Sequence, residues 1–75
     1  MTADELSAMV QQGEIIRRLN LSALDLAGSK LAGGMFFEVD FSNSDLSNVD
    51  LREAVLDDCN LSNTLLTNAD LHLLA

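Results

Sequence analysis

Large apolar residues recur at every fifth position through most of the chain. Leu21, Leu26, Leu31, Phe36, Phe41, Leu46, Leu51, Leu56, Leu61, Leu66 and Leu71 are all Leu or Phe. A helix buries residues at a period near 3.6 and a strand at a period of 2. A period of five fits neither, and sustained repetition at a short fixed spacing marks a solenoid. Ile16 stands one step before Leu21 and extends the column.

Two residues upstream of each large residue sits a mostly small one: Ser29, Gly34, Val39, Ser44, Val49, Ala54, Cys59, Thr64 and Ala69. In an extended segment residues two apart point to the same side, so each repeat turns one large and one small residue inward. The other three residues turn the chain, and Asp, Asn, Ser and Gly suit that task. Four such corners close a square, and twenty residues make one coil. Phe36, Phe41, Leu46 and Leu51 are expected to be buried, with Asp45 and Asp50 exposed. Gly33 and Gly34 are expected to make room for Phe36. Adding twenty stacks Ser22, Ser42 and Ser62, Asn43 with Asn63, and Asn48 with Asn68, so side-chain ladders between coils are expected there.

Residues 1–13 carry a different pattern. Thr2 and Glu5 fit a capping box. Leu6, Met9 and Val10 follow at helical spacing, and Gly13 suits the position just past a helix end. The pattern predicts a short amphipathic helix placed to cover the open apolar end of the stack. "EIIRRL" then leads into the coils. Residues 1–18 read as helix cap and lead-in, and residues 19–75 as an all-β solenoid.

"SDLSN", "VDLRE", "CNLSN" and "ADLHL" resemble the A-(D/N)-L-x-x units of the pentapeptide-repeat family, over about residues 19 to 73. Leu19 and Leu24 stand where that family usually has a small residue. The resemblance implies a right-handed quadrilateral β-helix, here of about 2.75 coils, with the N-terminal α-helix as its cap. It also implies a scaffold rather than one fixed activity.

Composition narrows the partner class. The net charge is −8, which repels nucleic-acid phosphates and anionic membrane surfaces and favours a basic protein partner. The apolar run "LAGGMFF" is too short to span a bilayer. "MTADEL" lacks the apolar stretch of a signal peptide, and one cysteine cannot form an internal disulfide. A cytoplasmic location is the expectation.

Catalytic chemistry is thinly represented. His72 follows the last inward Leu and is expected on the surface, whereas Cys59 takes a small inward position. No residues have zinc-ligand spacing, and "LAGG" belongs to no phosphate-binding glycine pattern. Catalytic, cofactor and metal sites are all expected to be absent. Asp25, Asp40, Asp45, Asp50 and Asp70 occupy the repeat's polar position and read as turn formers. Glu38, Glu53, Asp57 and Asp58 lie outside it.

A protein-protein interaction or scaffold module is the functional expectation. Its candidate contact residues are Met35, Phe37, Val55, Asp57 and Asp58 on the fourth face, with Leu73 and Leu74 at the C-terminal end. The end suits a homodimer or a basic partner. The opening "ELSAMVQQGEIIRRLNLSALDLAGS" is similar to repeat segments accompanying bacterial type VI secretion accessory proteins, which implies an adaptor or chaperone for secreted cargo. The alternative is an acidic DNA mimic acting on an enzyme such as gyrase. Residues 19–73 hold nine acids and two bases, a net of −7. Over about 13 Å of stack that density approaches duplex DNA, but the length is under half of a ~34 Å duplex turn.

Overall fold

The computed structural model describes residues 1–75. Thr2 opens helix α1 (Ala3–Gln11): its side chain accepts from the Glu5 N–H, and the Glu5 carboxylate accepts from the Thr2 N–H at 2.8 Å. Two further bonds close the helix, from the Gly13 N–H to the Val10 carbonyl and from the Glu14 N–H to the Met9 carbonyl. This Schellman arrangement requires a positive φ just past the helix end, and Gly13 adopts +76°. Leu6 and Val10 are buried in one cluster with Ile16, Leu21, Leu26 and Leu31.

From residue 15 onward, all pairing is parallel and joins residues twenty apart. The ladders are Asn20↔Asp40↔Asn60, Asp25↔Asp45↔Leu65, Lys30↔Asp50↔Asp70 and Met35↔Val55, the last beginning at Ile15. Four ladders stepped by five residues give a four-sided coil. On the fourth side the pairing is long enough to form strands β1 (Ile15–Arg17), β2 (Met35–Phe37) and β3 (Val55–Asp57), in that order in one sheet.

The corners explain the period. Arg18, Ala23, Gly28, Gly33, Glu38, Asn43, Asn48, Glu53, Asp58, Asn63 and Asn68 all have positive φ, again at every fifth residue. Many of the corners are closed by an N–H to carbonyl bond across three residues, as from Ser44 to Phe41 and from Val49 to Leu46. Positive φ at the third residue of such a turn is the type II pattern, which favours Gly and Asn. Here the expected Asn ladders are corrected. Asn43 and Asn48 serve the backbone angle, and the coils are joined beside them by main-chain bonds, from the Asn43 N–H to the Ser62 carbonyl and from the Asn48 N–H to the Thr67 carbonyl.

The large inward residues from Ile16 to Leu51 are buried, and Phe36 meets Phe41 edge to face with ring centroids 5.4 Å apart. The inward hydroxyls of Ser29 and Ser44 are satisfied at 2.6 Å by the carbonyls of Leu26 and Phe41, so these polar side chains carry no unpaired donor into the core. Gly34 makes room for the Phe36 ring as expected, but Gly33 does not. It has open space around it and supplies a φ of +75°. Leu19 and Leu24, large where a small residue is usual, are only half-buried and pack against the core together with Ala3 and Met9.

The inward column is not sealed to its end. Leu56, Leu61 and Leu66 are half-buried and Leu71 is 40% exposed, because only Leu74 and Ala75, beside Leu56, extend past this coil in the structure.

Candidate functional site

The acids of the repeat belong to the turns. Each carboxylate or carboxamide before an inward residue reaches forward to the N–H two residues on: Asp25 to Ala27, Asp40 to Ser42, Asp45 to Ser47 at 2.9 Å, Asp50 to Arg52 and Asp70 to His72. Asn20 and Asn60 make the same bond to Ser22 and Ser62. This local reach is the Asx-turn. The expectation that Asp45 and Asp50 stand exposed is corrected. Both are half-buried because they lie in the middle coil, Asp45 between Asp25 and Leu65 and Asp50 between Lys30 and Asp70, whereas Asp25 makes the same turn bond and is exposed.

Hydrogen bonding also sets their charge. The Ser42 hydroxyl and N–H hold Asp40 below the ordinary carboxylate pKa, and the Ser47 N–H and hydroxyl do so for Asp45. Asp50 is lowered by the Arg52 side chain, which donates from Nε at 3.0 Å and Nη2 at 2.9 Å. Asp70 is lowered by His72, whose Nδ1 lies 2.5 Å from its carboxylate.

The two candidate reactive side chains lie apart and differ in exposure. Cys59 is half-buried against the core, with Sγ 3.5 Å from the Phe36 carbonyl, and burial pushes its thiol pKa up. A raised pKa leaves less thiolate, the nucleophilic form. His72 is exposed. No three His, Cys, Asp or Glu side chains gather where they could hold a metal ion.

On the fourth face, Phe36 and Ile16 point in while their neighbours point out. Ile15, Met35 and Val55 stack in register as one outward apolar column, with Ile15 49% and Met35 39% exposed and Val55 half-buried. The second outward column is Arg17, Phe37 and Asp57. Helix α1 does not cover these residues. Phe37 is half-buried because the Arg17 guanidinium lies 5.1 Å from its ring centroid, a cation–π arrangement. Arg18 pairs with Glu38 at 3.4 Å beside them, while Asp57 and Asp58 are exposed one coil further on. Sequence reasoning missed Ile15, Arg17 and Arg18. The same step of twenty finds them, since Arg17 plus twenty is Phe37, but only if the columns are started before residue 19.

At the C-terminal end the chain runs on along the coil and pairs with the open edge of β3, Leu74 and Ala75 standing twenty residues on from Ala54 and Val55. The Leu74 N–H donates to the Ala54 carbonyl at 2.9 Å, the Leu56 N–H to the Ala75 carbonyl at 3.1 Å, and the Leu73 N–H to the Leu71 carbonyl at 2.7 Å. Leu73 is 38% exposed and Leu74 72%. Leu65 is exposed too, and sequence reasoning passed over it. Its signal is a Leu at a repeat position that, outside the fourth side, holds Asp, Asn or Lys. The N–H groups of Phe41, Asn43, Leu46 and Asn48 donate to the next coil, whereas their counterparts at Leu61, Asn63, Leu66 and Asn68 make no main-chain bond in the structure. Apolar side chains and an unpaired strand edge therefore coincide at this end.

The geometry is matched by known proteins. A family model described as pentapeptide repeats matches eight copies over residues 35–72. The crystal structure of a pentapeptide repeat protein (Rfr23) from the cyanobacterium Cyanothece 51142 is similar to this chain at a TM-score of 0.57 and 30% identity. That likeness covers 80% of this chain and 46% of the cyanobacterial one, so the chain spans about half of that protein's length. No curated protein matches the chain. With its five-residue column, its corners at positive φ and its parallel ladders twenty residues apart, the chain belongs to the pentapeptide-repeat family.

Proposed function

We propose that this chain is a cytoplasmic, non-catalytic interaction module that binds end-on through its C-terminal coil. Pentapeptide-repeat proteins are in general non-enzymatic interaction modules. The observation that carries the reading is the coincidence of exposed Leu71, Leu73 and Leu74 with unpaired N–H groups at Leu61, Asn63, Leu66 and Asn68. Such an edge templates pairing with another chain. A second copy related by a two-fold axis fits it, and so does a basic protein surface. In this proposal residues 1–18 act as cap and lead-in, and residues 19–75 form a binding solenoid of about 2.75 coils. Met35, Phe37, Val55, Asp57 and Asp58 offer a lateral contact site.

The helix–glycine–repeat order supports a narrower role as adaptor or chaperone in a bacterial type VI secretion system, which the neighbouring genes would test. The molecule's extents of 26 × 23 × 22 Å favour a compact adaptor over a DNA mimic; all three fall short of one duplex turn of about 34 Å. The proposal is tested by capture from the native cell with the parent chain and with Leu73→Glu/Leu74→Glu. A partner held by the parent and released by the variant supports it. Equal capture by both contradicts it.

A further inference from the structure

The fourth face carries a charge pattern that reverses along the stack. Arg17 and Arg18 stand in the first coil, and Asp57 and Asp58 stand at the matching positions two coils on. Phe37 and the exposed Met35 lie between them on β2. Two copies can meet through this face about a two-fold axis lying in its plane. If the axis runs along the stack, β1 faces β1 with the strand direction reversed, so Arg17 lies opposite Ile15, Asp57 lies opposite Val55, and no Arg meets an Asp. If it runs along β2, β1 of one copy faces β3 of the other. Arg17 then meets the second copy's Asp57, Arg18 meets its Asp58, and Met35 and Phe37 each meet their own counterparts.

We infer that the fourth face is a self-complementary surface whose partner is a second copy of this chain, docked side by side with its stack reversed about an axis along β2. The inference rests on the proposal that this face is a contact site, and it is independent of the C-terminal end. An isologous contact needs each patch to complement itself under the two-fold, and this charge order does so in one orientation only. Glu38 is the one acid that meets its own counterpart across this axis, and its charge is already engaged by Arg18 at 3.4 Å. A face three strands tall is smaller than the ~800 Å² per partner of a standard interface, so the pairing is weak and reversible.

The test removes end-on contact first, by working throughout in Leu73→Glu/Leu74→Glu and measuring self-association by sedimentation velocity. Arg17→Glu/Arg18→Glu makes the face all acidic, and Asp57→Lys/Asp58→Lys leaves Glu38 as its one acid among four bases. Each is expected to self-associate at least tenfold more weakly than the background. An equimolar mixture is expected to form a heterodimer at least as tight as the background pair. A background that is strictly monomeric, variants that associate as it does, or a mixture no tighter than its parts would overturn the side-by-side pairing. The end-on proposal would stand in each case. Should a charge variant fail to fold, cysteine cross-linking decides instead: with Cys59→Ser, Met35→Cys is expected to form a disulfide dimer and Ser62→Cys, on another side, to stay monomeric. Equal cross-linking at both sites overturns the inference.

Discussion

Gly34 lies directly beneath the Phe36 ring. A Cβ at residue 34 would stand 2.9 Å from Cζ of Phe36, closer than real Cβ atoms pack, and 3.0 Å from the Leu31 carbonyl oxygen, tighter than most of them do. Phe36 is fully buried and packed on Phe41, so it has little freedom to withdraw. Gly34→Ala is expected to destabilise the fold by about 1–3 kcal/mol through overpacking, measured by urea unfolding. A paired Phe36→Leu change, which shortens the ring away, is expected to recover part of the loss.

The inward column grades from sealed to open. Leu46 is fully buried and Leu71 is 40% exposed. Leu46→Asp buries an unpaired charge, in a domain too small to hold more than a few kcal/mol of net stability. That variant is expected to be unfolded by circular dichroism at 25 °C. Leu71→Asp is expected to fold with a melting temperature close to the parent's.

Corner chemistry makes a prediction of the opposite sign. Ala23 and Glu53 hold φ of 56° and 62°, the same region as Asn48 at 59°. A left-handed backbone costs most L-residues roughly 1–2 kcal/mol, and Asn less. Glu53→Asn is expected to raise stability by about 0.5–1 kcal/mol. Asn48→Val is expected to lower it by roughly 1–2 kcal/mol. Thermal melts read both.

Much of this was legible in the residues. Eleven Leu or Phe at one spacing fix the inward column, and Thr2 with Glu5 fixes the helix start. The corners were harder, because Arg18, Ala23, Glu38 and Glu53 sit at positive φ with side chains that do not advertise it. There the ladder bonds of the neighbouring coils override local preference. The fourth face was half read. Met35, Phe37 and Val55 could be placed outward, but that Phe37 is shielded by Arg17 depends on packing between coils. Likewise the spacing marks Asp45 and Asp50 as turn residues, while their half-burial comes from the coils stacked on both sides of them, which one repeat does not show.

The turn carboxylates set the acid limit. Asp40, Asp45, Asp50 and Asp70 have folded pKa values below the ordinary one. A depressed folded pKa gives stability that is present above the unfolded value, near 3.9, and lost as pH falls through the folded value. The urea midpoint is expected to be level from pH 8 to about 5 and to fall below about 4. Asn20 and Asn60 already make the same turn bond at 3.0 and 2.9 Å. Replacing the four acids by Asn is therefore expected to keep the fold and flatten the acid slope.

Sedimentation velocity over a salt series, comparing the parent with Leu74→Glu, tests the C-terminal contact most directly. Leu74 is the most exposed large apolar residue and lies beside the unpaired edge, so glutamate there is compatible with folding and hostile to an interface. The chain carries a net charge of −8, and repulsion between copies is screened as salt rises. The expected result is reversible self-association of the parent that strengthens with salt and is weakened at least tenfold in the variant. Parent and variant sedimenting alike as monomers at every salt and up to high micromolar concentration would contradict self-association through this end.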